Sequence, residues 1–454
     1  MKIHLIAIGG SAMHNLALAL QKAGHTVSGS DDEIFEPSRS RLDHAGLLPS
    51  DMGWYPERIT SDLDLVILGM HARADNPELQ RAKDLNLKIL SYPEFLYQHS
   101  RDKTRVVIAG SHGKTTVTSM VMHVCRLCGL NIDYLVGALV KGFETMVRLS
   151  ESSEFIVIEG DEYPASALQL IPKFHFYKPN ITAITGIAWD HANVFPDEEV
   201  YIQQFRTYLE MCEPGAAVVY YAEDGQLKDL LSSTTNYVKK IPYSLPKYKV
   251  AEDGTYYIET NEGLMPVSVF GKHNMANLEA ARWICQLMGI QEGEFYQAIQ
   301  SFEGAAKRLQ LLGSKDGRSV YLDFAHSPSK VRATLESMRE AKPTSKIVAV
   351  LELHTYSSLS SSFIPQYRHT LDCADLPIVY FNPKALRHKR LPDLTAKEVA
   401  EAFRIPESCV FTDSKRVFDE LKSLRDQPLD ILFMTSGNFA GENLERWAEE
   451  LLRV

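Results

Sequence analysis

The stretch VVIAGSHGKTTVTSM, Val106–Met120, leaves its chain little freedom. A β-branched run ends at Gly110. Gly113, Lys114 and Thr115 follow almost at once, and then a segment fit for a helix. A strand and a helix joined by so tight a turn belong to the parallel-sheet α/β folds. Backbone N–H groups at such a turn can point at a phosphate chain. Lys114 supplies a cation for the β/γ oxygens, and Thr115 a hydroxyl for Mg²⁺. The spacing is unusual, because only Ser111 and His112 separate the two glycines, whereas the usual loop, G-x-x-x-x-G-K, is longer.

The rest of the chain agrees with this class. At about 150 residues per domain, 454 residues suggest about three domains. Residues 1–100 alternate strand and helix patterns, with Gly9 and Gly10 between the first pair and Asp31 at the end of the second strand pattern. Glycines there suit a phosphate, and an acid there suits a ribose. The charged run HSRDKTR reads as a linker into a second segment, 101–307, and a third α/β rhythm fills 308–454. LSSTT and SSLSSS read as loops. With 45% hydrophobic and 23% charged residues, the chain has ordinary globular composition. Its net charge of −10 argues against a nucleic-acid or anionic-membrane partner. The start, MKIHLIAIGG, reads as a strand and not a signal peptide, and no apolar run is long enough to span a bilayer. A cytoplasmic enzyme is the expectation. Cys125 and Cys128 form a C-x-x-C, but no second pair or nearby His completes a zinc set, so two buried helix thiols are expected.

Four further patterns carry chemistry. Glu159, Asp161 and Glu162 end an apolar run in VIEGDEY, where carboxylates hold Mg²⁺ directly or through water. In WDHANVF, His191 follows Asp190, a pairing that suits a metal ligand and its orienting acid. Asn274 and Asn277 in GKHNMANLEAA share a helix face. Their amides suit an adenine edge, and helix capping by Asn274 is the plain alternative. Arg308 suits a γ-phosphate, and Asp323, ending a strand pattern, suits ribose hydroxyls.

Taken in order, these motifs resemble those of the Mur ligase family, ATP-dependent amide ligases that build the peptidoglycan stem peptide. The resemblance runs along essentially the whole chain, and the short Gly-x-x-Gly-Lys-Thr loop is that family's own. GSHGKTT, IGGSAM and GHTVSGSD are similar to the branch acting on UDP-N-acetylmuramate. The resemblance implies a Rossmann-like N-terminal domain, a P-loop ATPase-like central domain and a Rossmann-like C-terminal domain. It implies ATP and Mg²⁺, a UDP-sugar acid and an amino acid or tripeptide as ligands, and a monomer or homodimer. By it, Gly110, His112, Gly113, Lys114, Thr115, Thr116, Asn274, Asn277, Arg308 and Asp323 bind ATP. Thr115, Glu159 and His191 hold metal, and Lys114, Glu159, His191 and Arg308 are catalytic. Gly9, Gly10, Ser11, Met13, Ser30, Asp31 and His71 bind the UDP-sugar. His354, Tyr356, Ser436 and Asn438, after strands of the third domain, bind the amine.

Within the branch, EGDEY, WDHANVF, GKHNM, LDFAHSP and RLQLLG look closer to members that add the tripeptide L-alanyl-γ-D-glutamyl-meso-diaminopimelate. LVKG and ELHTYS look closer to those that add L-alanine. Several positions depart from the family pattern. Ala7 stands for a loop glycine, His14 and Asn15 for two glycines after Met13, Gly186 for an asparagine and Ala188 for a glutamate. Arg206 stands near where sister ligases carry a carbamylated lysine. The changes at Gly186 and Ala188 are what a non-catalytic UDP-sugar-binding relative would show.

Overall fold

The computed structural model describes residues 1–189, 194–195, 197–425 and 427–453. The chain divides into two compact units. One comprises Met1–Ala188, Glu199–Ser244 and Leu278–Ile299; the other comprises Trp189–Glu198, Leu245–Asn277 and Gln300–Val454.

The first unit holds two sheets. Its N-terminal sheet is parallel, in the order Thr26–Ser30, Lys2–Ile6, Leu65–Leu68, Ile89–Ser91. The first connection runs to one side of the strand Lys2–Ile6 and the next crosses to its other side, so the C-terminal end of that strand is a switch point where a ligand crevice forms. The larger sheet has seven strands, centred on Thr104–Ala109 between Phe155–Glu159 and Ile181–Ile184. These strands are continuous runs of Val, Ile and Ala because both faces are covered. Only the edge strand Val147–Arg148 pairs antiparallel in this sheet.

The second unit is built on a six-stranded sheet, parallel except for a hairpin that adds Gln310–Lys315 to Arg318–Asp323. Its strand Ile347–Leu353 shows the period of two clearly. Ile347, Ala349, Leu351 and Leu353 join one apolar cluster, and Val348 and Val350 the cluster on the opposite face. A small antiparallel meander, Tyr248–Val250, Tyr256–Thr260 and Gly263–Val267, completes this unit. Among the described residues, no helix is long and apolar enough to cross a membrane.

One sequence expectation gains detail and two are corrected. The charges of HSRDKTR, the run read as a linker, are not left in solvent but join elements. His99 and Lys103 both meet the buried Asp133, at 3.2 and 3.0 Å. Arg105, itself buried, meets Glu213 at 2.7 Å and donates to the Tyr177 and Lys178 carbonyls. The C-x-x-C does not bury two thiols. Its helix, Lys114–Leu127, ends before Cys128, which is exposed while Cys125 is buried. LSSTT is only partly loop, since Leu231–Ser233 close the helix Gly225–Ser233.

Candidate active site

Two helices in the first unit start at a glycine and so have no capping side chain. Ser11–Lys22 starts at Gly10, and Lys114–Leu127 at Gly113, whose φ is 72°. Elsewhere Asn76, Asp224, Asp413 and Asn443 cap their helices with side-chain oxygens. Uncapped N-termini leave donor N–H groups and a positive dipole end for an anion.

The phosphate loop is fixed from behind by the departure at Gly186. The carbonyl of Gly186 accepts the Ser111 backbone N–H at 2.9 Å and its hydroxyl at 3.1 Å. Gly186 takes a φ of 129°, which an asparagine would adopt only with strain. The next N–H, of Ile187, donates to Asp224 at 2.8 Å. Thr185 donates its hydroxyl to the His112 carbonyl. Gly110 lies so close to this segment that a Cβ would sit 2.7 Å from the Thr185 amide nitrogen.

Lys114 donates to the Gly110 carbonyl at 2.6 Å and meets Glu162 at 2.7 Å. Burial disfavours its charge, but Glu162, Asp161 and Glu159 outweigh burial, and its pKa is raised. Thr115 donates to Glu159 Oε1 at 2.7 Å, and Glu159 Oε2 accepts the Gly137 N–H at 2.7 Å. Thr116 is buried on the same turn. A hydroxyl beside one carboxylate, next to a phosphate cradle, is the donor set that Mg²⁺ takes when phosphate oxygens and water complete its octahedron. Among the described residues no cluster of three or more His, Cys, Asp or Glu could hold a metal by itself. Asp161 and Glu162, expected beside the metal, are each paired with a lysine, Lys173 at 2.6 Å and Lys114. His191 and Asp190 lie outside the described residues.

A cavity of about 330 Å³ lies between this loop and the first strand–helix turn. Gly10, Ser11, Met13 and His71 line one side, Lys114 and Glu159 another. Ala7 occupies the glycine's usual place with φ at 66°, keeping the left-handed turn at some strain. Gly9 donates its N–H to Asp31 at 2.7 Å. Burial pushes the Asp31 carboxyl up to about 6, although the Gly9 N–H opposes this. Ser30 is buried and accepts from Arg58 at 3.0 Å. His14 and Asn15 form a buried pair at 2.9 Å, and Asn15 also accepts the Met146 N–H. Arg206 sits apart, on Ser233 at 2.9 Å.

The remaining predicted residues belong to the second unit. Asn274 is not a cap, since it lies inside the helix Lys272–Leu287 and donates back to the Phe270 carbonyl at 2.9 Å. Asn277 donates to it at 3.4 Å, so the two do share a face. Asp323 ends its strand, where its oxygens accept the Leu309 N–H and the Thr334 hydroxyl. The Arg308 guanidinium lies 4.7 Å over the Phe324 ring.

The amine-site candidates converge. Gly437 approaches Glu352 and His354 so closely that a Cβ would be 2.7 Å from each. This places Ser436 and Asn438 on either side of that contact; the Ser436 hydroxyl is buried with no partner among the described residues. Burial, and then nearby Lys389, lower the His354 pKa against the pull of Glu352. Tyr356 lies under Lys389, 4.6 Å from its ring centre. Sequence reasoning missed Gly137, Asp224, Lys173 and Tyr92. None stands in a motif, and only the folded chain brings them to the loop and the cavity.

Comparison with known proteins places this arrangement among others. Residues 2–104 match the model of the Mur ligase family catalytic domain, 108–285 that of the Mur ligase middle domain and 307–438 that of the Mur ligase glutamate ligase domain. The chain is 30% identical over 366 residues to the UDP-N-acetylmuramate–L-alanyl-γ-D-glutamyl-meso-2,6-diaminoheptandioate ligase of Escherichia coli (strain K12). That match covers 78% of this chain and 79% of the relative. It is 27% identical over 448 residues to the UDP-N-acetylmuramate–L-alanine ligase of Carboxydothermus hydrogenoformans, covering 96% and 94% of the two chains. In fold it is similar to a murein peptide ligase from Psychrobacter arcticus, with a TM-score of 0.70 at 22% identity, covering 100% of this chain and 99% of that one.

Proposed function

The chain belongs to the Mur ligase family, and from that premise we propose the acid and the amine that it joins. It is an ATP-dependent ligase forming an amide bond. The acid is the lactyl carboxylate of UDP-N-acetylmuramate, and the amine is the N-terminus of the tripeptide L-alanyl-γ-D-glutamyl-meso-diaminopimelate.

A carboxylate resists attack by an amine because oxide is a poor leaving group. ATP removes that obstacle: a carboxylate oxygen attacks the γ-phosphorus, ADP departs, and the acyl phosphate forms. The amine nitrogen then attacks the acyl carbon, phosphate leaves and the nitrogen loses a proton. Both first-step reactants are anions, so charge neutralisation and alignment are the catalytic task. Lys114 sits where a cation faces β/γ oxygens, and the uncapped helix start adds N–H donors. Thr115 and Glu159 would hold Mg²⁺, which when bound neutralises phosphate charge. The cavity from the Gly10–Met13 turn to Lys114 is the observation that carries the reading: it leads from a diphosphate-type helix start to an ATP-type one.

Charge favours the tripeptide over L-alanine. Lys384, Arg387, Lys389 and Arg390 lie just beyond the strand Leu376–Phe381 in the unit that carries His354 and Tyr356. The tripeptide offers three carboxylates to such a cluster, and L-alanine only one. The likeness to an L-alanine ligase over 96% of the chain keeps that amino acid as the control substrate. The test is one assay with ATP, UDP-N-acetylmuramate and either amine, read by the mass of the UDP-linked product. The tripeptide adduct is expected; an alanine adduct alone would replace this reading.

A further inference from the structure

Part of the cavity lies beyond both phosphate-type turns. Its wall includes Tyr92, Asp161 and Lys173, none of which belongs to either phosphate-type turn. Tyr92 opens the helix Tyr92–Ser100 and is only 4% exposed. Its hydroxyl has no hydrogen-bond partner among the described residues. A buried hydroxyl left so is destabilising, and a ligand oxygen in the cavity would relieve it. Lys173 meets Asp161 Oδ2 at 2.6 Å. The backbone around the pair is fastened: the Lys173 N–H donates to the Tyr163 carbonyl at 2.9 Å, and the Phe174 N–H to the Asp161 carbonyl at 3.1 Å.

The electrostatics give this pair a purpose. Glu159 and Asp161 line the cavity, with Glu162 just behind. An incoming carboxylate would face that negative wall. Of the two lysines that line the cavity, Lys114 is held by Gly110 and Glu162 at the ATP loop. Lys173 is the other. An ammonium has three donors, so it can serve Asp161 and a substrate carboxylate together.

We propose that Lys173 binds the lactyl carboxylate of the sugar substrate and that the Tyr92 hydroxyl hydrogen-bonds the same ligand, as a subsite that aligns the acid with the ATP loop. The proposal rests on the functional reading above and extends it to residues outside the resemblance. UDP-N-acetylmuramate and UDP-N-acetylglucosamine differ by the lactyl group, so their affinity ratio isolates the carboxylate contact. Calorimetry on the full chain should show the muramate ligand binding more tightly. In Lys173→Gln the ratio should shrink by about 10-fold or more, as expected for a lost charge-assisted hydrogen bond. Affinity for UDP-N-acetylglucosamine and for a non-hydrolysable ATP analogue should hold, and Lys173→Arg should restore part of the ratio. Tyr92→Phe should weaken the muramate ligand without lowering the melting temperature. Asp161→Asn, which frees Lys173, should tighten the muramate ligand alone; this keeps the test valid if Lys173→Gln fails to fold. An unchanged ratio in Lys173→Gln, or equal weakening of both sugars in either Lys173→Gln or Asp161→Asn, would overturn the subsite. If the unaltered protein binds neither sugar nucleotide, the functional reading fails instead.

Discussion

Lys114 is the residue on which the proposed chemistry most depends, and its proposed part in catalysis can be separated from its pairing with Glu162. Its ammonium faces the ATP loop while also compensating Glu162, whose side chain is 1% exposed. Lys114→Ala should reduce phosphate release by about 10²–10³-fold, the usual size of a lost preorganised electrostatic contact. It should also destabilise the fold by about 3 kcal/mol, because a buried carboxylate loses its partner. Adding Glu162→Gln should recover most of the stability and none of the turnover, as read by thermal unfolding and a phosphate assay. Asp31 gives a prediction of opposite electrostatic sense. Folding raises its carboxyl from 3.8 to about 6, chiefly through burial. Between these values the folded protein binds the proton more tightly than the unfolded chain. Stability from this group is therefore greatest below about pH 4, falls as pH rises to about 6, and is level above that. The fall should be at most about 3 kcal/mol. Asp31→Asn should abolish it, so denaturation midpoints of the two proteins should diverge across that window. The sequence placed Asp31 at a strand end but could not supply this shift, which comes from burial in the folded chain against the opposing Gly9 N–H.

At the scale of elements, the loop and the segment behind it act as one piece. Gly110 must be glycine because Thr185 fills the space its Cβ would need, and its φ is 122°. Gly110→Ala should abolish binding of an ATP analogue and leave UDP-sugar binding intact. Gly186→Ala should destabilise by more than about 1 kcal/mol, since φ at 129° suits only glycine, and should weaken ATP binding through Ser111. Either result can be read by calorimetry beside a melting curve. The departure at Gly186 therefore has a local explanation that the sequence alone could not give. Strands and helices were legible where apolar runs met glycines: Lys2–Ile6 and Thr104–Ala109 fall where the patterns put them. The hairpin at Asp316–Gly317 was overlooked, although D-G between strand-like runs is a strong turn signal and both residues take positive φ. The part played by the charges of HSRDKTR was not legible. Charge runs are usually solvated, and only tertiary placement of Asp133 and Glu213 turns this one into a joint.

For the whole molecule, three Mur ligase domain models follow one another along one chain, so activation of the acid and capture of the amine are functions of a single polypeptide. The order of motifs made that architecture legible where no single motif did. The identity of the amine stayed open, because HTYS resembles one sub-branch and GKHNM another. A chain with net charge −10 must also gather two polyanionic substrates, so attraction has to come from local groups such as Lys114 and not from the overall field. That arrangement makes a kinetic prediction. An acyl phosphate kept from water persists until an amine arrives. With ATP and UDP-N-acetylmuramate alone, rapid-quench measurement should show ADP formed up to one equivalent per enzyme and then little more. Adding the tripeptide should convert this burst into continuous turnover, with phosphate and UDP-linked peptide formed in equal amounts. Steady phosphate release that is indifferent to the amine would mark the chain as an ATPase rather than a ligase. The absence of any burst would show that the acid is not activated before the amine binds.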